Sequence, residues 1–162
     1  MKRLFAALAC SLLAASAFAH VTVQEPWVRA TVAAQKVTGA FMQLTSTRDT
    51  RLVGVRSPIA GRAEIHQMMM DQDMMKMRQV PALALAAGKP VDLASGDFHV
   101  MLFDLKHEVK AGDTVPLTLV FEGGNGARET LEVNAVARPL GAAHEHHGEH
   151  EQHAGHEHHH QH

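Results

Sequence analysis

Short runs in which apolar and polar residues alternate divide the chain between residues 20 and 140, and this pattern constrains the fold most strongly. A period of two is typical of strands that bury one face. Glycine, proline and aspartate fall between the runs, where they favour turns. Because no long helical stripe appears, the pattern predicts an all-β, antiparallel sandwich of roughly eight or nine strands. The runs are 28–32, 40–45, 51–55, 63–68, 98–104, 117–121 and 130–136.

The first 19 residues differ from this middle part. Residues 1–19 contain two basic residues, a short apolar run and small residues before His20, which is the arrangement of a secretory signal peptide. The apolar run is too short to cross a bilayer. A lipid anchor at Cys10 is disfavoured because it would leave only six apolar residues before the cleavage point. We therefore expect export to the periplasm and no stable membrane association after cleavage.

The last segment, residues 141–162, is rich in histidine. It has ten histidines and four glutamates but no large apolar side chain, so we expect a disordered tail. This composition is typical of metal-binding tracts. Imidazoles beside carboxylates favour Cu(II) over the other divalent first-row metals. The predicted tail ligands are His144, His146, His147, His150, His153, His156, His158, His159, His160 and His162.

Composition excludes several functional classes. A formal net charge of -2 and 4% aromatic residues leave no basic or stacking surface for nucleic acid. The single cysteine, Cys10, lies in the leader, so the domain lacks the thiolate ligand of an electron-transfer copper site. No pattern supplies the acid and base of an enzyme. We expect a monomer that is neither an enzyme nor a nucleic-acid-binding protein.

Histidine and methionine lie side by side on two of the predicted strands. Alternation places His99 and Met101 on one face of run 98–104, and His66 on the same face as Met68 in run 63–68. Six methionines occur between residues 68 and 77, with a turn predicted at 71–73. Methionine clusters often fill cores, but the charged residues among these methionines favour an exposed, methionine-lined hairpin.

The spacing of four of these residues resembles a known signature. The pattern H-x10-M-x21-H-x-M, with the surrounding segment 96–102, is similar to that of the periplasmic PCu(A)C-type copper chaperones, and the resemblance covers residues 20–140. It implies a cupredoxin-like Greek-key β-sandwich that binds one Cu(I) through two histidines and two methionines. It also implies delivery to the binuclear copper site of cytochrome c oxidase subunit II, or to another periplasmic copper acceptor. The implied ligands are His66, Met77, His99 and Met101.

The chemistry of these ligands agrees with that implication. Thioether and neutral imidazole groups suit the soft Cu(I) ion, and they do not form disulfides in an oxidising compartment. The same ligands would serve a periplasmic protein that buffers or sequesters copper, or zinc or nickel through its tail, without a dedicated client. The sequence leaves chaperone and buffer open.

Overall fold

The computed structural model describes residues 21–139, and all of the regular structure in this range is β-strand. The signal segment, His20 and the histidine-rich tail lie outside the described residues. Among residues 21–139, no helix has the length and hydropathy needed to cross a membrane. The strands are β1 (Val21–Arg29), β2 (Val37–Ser46), β3 (Thr50–Arg56), β4 (Arg62–Asp71), β5 (Met74–Gln79), β6 (Leu83–Leu85), β7 (Val91–Leu93), β8 (Phe98–Phe103), β9 (Thr114–Gly123) and β10 (Arg128–Arg138).

The strands form one hydrogen-bonded series in the order β5-β4-β8-β7-β2-β1-β10-β9-β3-β6, and β8 also pairs with β2. Ile65 in β4 and Leu85 in β6 belong to the same buried cluster although their strands lie far apart in this order. The sheet therefore folds over on itself around a shared core, which confirms the predicted all-β sandwich. Most neighbours are antiparallel, whereas β1 with β10 and β7 with β8 are parallel.

Alternating aliphatic residues build the core as the sequence pattern predicts. In β9, Leu117, Leu119 and Phe121 are fully buried, whereas Thr118 and Val120 between them are partly exposed. The same alternation in β8 turns one face toward the core and leaves the other for the cluster of histidine and methionine described below. The core thus holds β8 in a fixed orientation relative to its neighbours.

The structure corrects one predicted run and adds short strands. Run 28–32 is a strand only over its first two residues, because β1 ends at Arg29 and Val32 lies exposed beyond it. A bulge between Gln24 and Trp27, with Glu25 at a positive φ of 47°, interrupts the alternation that would have marked the true strand. The strands β6 and β7 are three residues each, too short for a period-two pattern.

Replacing Leu119 by alanine is expected to lower the free energy of unfolding by about 2–5 kcal/mol, because the side chain is fully buried in the core. Urea denaturation followed by the fluorescence of Trp27, the single tryptophan, measures the loss. The control is Val120→Ala, at a partly exposed position of the same strand, which should lower the free energy of unfolding by less. Equal losses in the two variants would contradict the assignment of the buried face.

Candidate metal centre

Two neighbouring strands bring the two predicted histidines together. In the antiparallel pair of β4 and β8, His66 lies directly opposite His99, and Glu64 lies opposite Met101. Residues directly opposite each other project from the same face of a sheet, so all four side chains share one face. The imidazole ring centroids are 6.1 Å apart, and both histidines are buried, with 8% and 6% of their surface exposed.

The hairpin of β4 and β5 adds a thioether to this face. Gln72 and Asp73 form its two-residue turn, which lies within the predicted turn at 71–73. Their φ angles of 48° and 64° are positive, as a type I′ turn requires. The resulting register places Met77 opposite Met68. The Sδ atom of Met77 then lies 3.0 Å from Nε2 of His99.

An open cleft of about 310 Å³ collects the thioethers beside His99. Met68, Met77 and Met101 line it together with Phe41, whose ring packs between Trp27 and His99 at centroid distances of 4.3 and 6.4 Å. His66 lies beside His99 rather than in the wall of the cleft. The structure thus brings all four predicted ligands onto one face, with three of them lining the cleft.

Hydrogen bonding assigns the tautomer of His99. Its Nδ1–H donates to the backbone carbonyl of Asp97 at 3.2 Å, because a carbonyl oxygen can only accept. Burial lowers the pKa of His99 below its ordinary value, which favours the neutral ring at pH 7. Its Nε2 therefore presents a lone pair to the Met77 sulfur, which is itself an acceptor. Two lone pairs 3.0 Å apart are stabilised when a proton or a metal cation lies between them.

His66 has the same arrangement with its ring reversed. Its Nε2 lies 2.8 Å from Oε2 of Glu64, and because a carboxylate only accepts, Nε2 carries the proton. In the neutral ring Nδ1 then carries a lone pair, and this buried atom has no hydrogen-bond partner among residues 21–139. A histidine that is anchored through one nitrogen and free at the other is typical of metal ligands, in which the anchor sets the tautomer.

The donor set fits a soft ion. Metal–nitrogen and metal–sulfur bonds of about 2.0 and 2.3 Å place two ligand atoms of a tetrahedral ion roughly 3.5 Å apart, so Met77 and His99 need to separate by only about 0.5 Å. Within residues 21–139, no group of three or more His, Cys, Asp or Glu side chains could hold a metal. The cleft instead offers thioethers beside an imidazole, and these ligands favour Cu(I).

Sequence reasoning gave Glu64 no role, although a carboxylate two residues from a histidine on a strand shares its face and is a recognisable signal for a histidine anchor. It also missed the carbonyl of Asp97, since backbone acceptors leave no mark in the sequence. Outside the site, Trp27 is partly exposed and stacks on Phe41, His107 is exposed, and Met42 is buried in the core.

Solved PCuAC domains share this architecture. The copper-bound PCuAC domain from PmoF2 is 22% identical, with a TM-score of 0.58, and the match covers 76% of this chain and 100% of that domain. The Cu(I) form of DR1885 from Deinococcus radiodurans is 35% identical with a TM-score of 0.58, over 76% of this chain and 83% of that protein. The resemblance to PCu(A)C-type domains and the cupredoxin-like fold are thus confirmed.

Sequence relatives cover the same region. An uncharacterised protein of Rickettsia prowazekii is 38% identical over 117 residues, which is 68% of this chain and 64% of that protein. The chain thus spans about 64% of the length of the curated relatives it matches. A family model, that of the LpqE-like lipoproteins, matches residues 21–137, which include every strand but the last residue of β10. The chain therefore belongs to the LpqE-like family.

Proposed function

We propose that the chain is a copper chaperone that binds one Cu(I) through His66, Met77, His99 and Met101. The observation that carries the proposal is the close approach of two acceptors, Nε2 of His99 and Sδ of Met77, at 3.0 Å. The unpartnered Nδ1 of His66 supplies a further lone pair on the same face. Neutral imidazole and thioether ligands suit a soft, closed-shell ion without adding charge.

Two similar structures support copper as the cargo. The PCuAC domain from PmoF2 is described as copper-bound, and DR1885 as a Cu(I) form. The lipoprotein-like family supports a location outside the cytoplasm. Both a cleaved leader and a lipid anchor at Cys10 would export the domain, and we propose the periplasm as its compartment.

The proposed client is the binuclear copper site of cytochrome c oxidase subunit II. An acceptor that offers thiolates binds Cu(I) more tightly than thioethers and imidazoles do, so transfer by ligand replacement runs downhill. The exposed side of Met77, 47% of whose surface is open to solvent, gives an acceptor ligand access to the ion. No electron moves in this step, because copper enters and leaves as Cu(I).

The decisive experiment mixes the Cu(I)-loaded chain with a soluble fragment of cytochrome c oxidase subunit II and follows metal transfer at several concentrations of the fragment. A chaperone that transfers copper in a complex gives a rate that rises with acceptor concentration. A buffering protein, the alternative role, releases copper first, so its rate would not depend on the acceptor. The second result would contradict a dedicated chaperone.

Replacing Glu64 by alanine is expected to weaken Cu(I) binding by about 10- to 100-fold, the usual cost of losing a group that orients a metal-bound histidine. Without the carboxylate, nothing holds the proton on Nε2 of His66. A competition titration against a chromophoric Cu(I) chelator measures the change. Glu132→Ala, which removes an exposed carboxylate bonded to Thr118, is the control. Equal affinities in the two variants would argue against the anchor role of Glu64.

A further inference from the structure

The hairpin of β4 and β5 carries a row of thioethers that extends beyond the proposed site. Met68 lies opposite Met77, and one step further along both strands Met70 lies opposite Met75. Because opposite residues share a face and alternate residues return to it, all four thioethers project from one face. That face is the one that bears His66.

The opposite face of the hairpin is different in character. Lys76 lies opposite Met69, and its ammonium group contacts the Asp71 carboxylate at 2.7 Å. Arg78 follows two residues after Lys76 and therefore projects from this second face. Between residues 68 and 78, the charged side chains of the two strands thus lie on the face away from the histidines, and the first face carries methionine alone.

Met70 and Met75 lie outside the buried core of the domain. They are 66% and 51% exposed, neither belongs to the buried core, and β5 is the outermost strand of the series. Thioethers as exposed as these gain little from packing and are open to oxidation. Met68 and Met77 line the cleft, whereas the outer pair does not, so the outer pair lies one step further out on the same face.

We propose that Met70 and Met75, with Met68, form a second, weaker Cu(I) site through which the ion reaches and leaves the inner ligands. Opposite side chains on a sheet have Cβ atoms about 4.5–5.5 Å apart, and the flexible methionine side chain lets two sulfurs reach one ion. Binding is weaker there because the donors are neutral and open to water, and no imidazole takes part.

This inference rests on the proposed function, since the outer site supplies an inner one. Copper moves by ligand substitution: a bond to the outer sulfur breaks as a bond to Met77 forms, with no change of oxidation state. Met68 lies between the outer methionines and the inner ligands, because it is opposite Met77 and two residues from Met70. A soft ion can therefore pass along the row without losing all of its sulfur ligands at once.

The test uses the full chain with ¹³C-labelled methionine methyl groups, titrated anaerobically with Cu(I) and assigned by single Met→Leu variants. Only thioethers are observed, so binding by tail histidines does not obscure the result. We expect the first equivalent to shift Met77 and Met101, and further Cu(I) to shift Met70 and Met75. Unshifted Met70 and Met75 with shifted inner methyls would overturn the outer site alone. No shift at any of the four would overturn the proposed function as well.

A kinetic comparison tests the role of the outer pair. The variant Met70→Leu/Met75→Leu is expected to load the inner site from a chelated Cu(I) donor about tenfold more slowly, with unchanged affinity at equilibrium. The matched control, Met69→Leu/Met74→Leu, removes two thioethers from the opposite face of the same hairpin. Equal loading rates in the two variants would overturn the proposed route.

Discussion

Replacing His99 by phenylalanine is expected to lower the affinity of the chain for Cu(I) by more than about 100-fold, since losing even an outer orienting group costs about 10- to 100-fold. His99 occupies the centre of the proposed site, with the Met77 sulfur 3.0 Å away on one side and the His66 ring on the other. Phenylalanine removes the nitrogen lone pair but keeps an aromatic ring against Phe41.

The measurement is a competition titration with a chromophoric Cu(I) chelator, accompanied by thermal unfolding of the metal-free variant. The matched control is His107→Phe, which changes an exposed histidine whose contact is a neighbouring backbone carbonyl. We expect the metal-free His99→Phe chain to unfold at a temperature close to that of the parent, because relief of the contact with the Met77 sulfur offsets the loss of the hydrogen bond to the Asp97 carbonyl. A tight Cu(I) equivalent that survives in His99→Phe would contradict the proposed ligand set.

The two-residue period explains how far the site could be predicted from the sequence. His99 and Met101 share a face because of strand alternation, and the turn at Gln72 and Asp73 sets the register that returns Met77 toward them. Both features are local, so they can be recognised without knowledge of the fold. The long spacings between the four ligands also resembled the signature of a known family. That resemblance, and not the alternation, indicated that residues far apart in the sequence form one site.

Non-local features could not be predicted in this way. The pairing of β4 with β8 puts His66 opposite His99 although 32 residues separate them, and alternation carries no information about which strands become neighbours. The anchor by Glu64 depends on rotamers, and the anchor by the Asp97 carbonyl depends on backbone direction. The bulge that displaces β1 arises from Glu25 at a positive φ, a conformation that is uncommon for a residue other than glycine.

Removing the histidine-rich tail is expected to abolish most Cu(II) binding while leaving Cu(I) binding unchanged. Cu(II) favours nitrogen and oxygen ligands, and within residues 21–139 no three His, Cys, Asp or Glu side chains are grouped closely enough to hold a metal. The tail from residue 144 to 162 supplies ten imidazoles and four carboxylates. Calorimetric titration of a chain ending at Pro139, alongside the full chain, measures both affinities.

The control keeps the tail length but replaces all ten of its histidines by glutamine, so that loss of length and loss of imidazole are distinguished. Tight Cu(II) binding by the shortened chain, or loss of its Cu(I) binding, would contradict two independent sites.

The pH dependence separates the sites further. An imidazole in water is protonated below about pH 6.5, which releases Cu(II) from the tail as the pH falls. Burial lowers the pKa of His99. Protons therefore compete with Cu(I) for the Nε2 atom of His99 only at a lower pH. We therefore expect Cu(I) to remain bound at a pH where the tail has already released Cu(II).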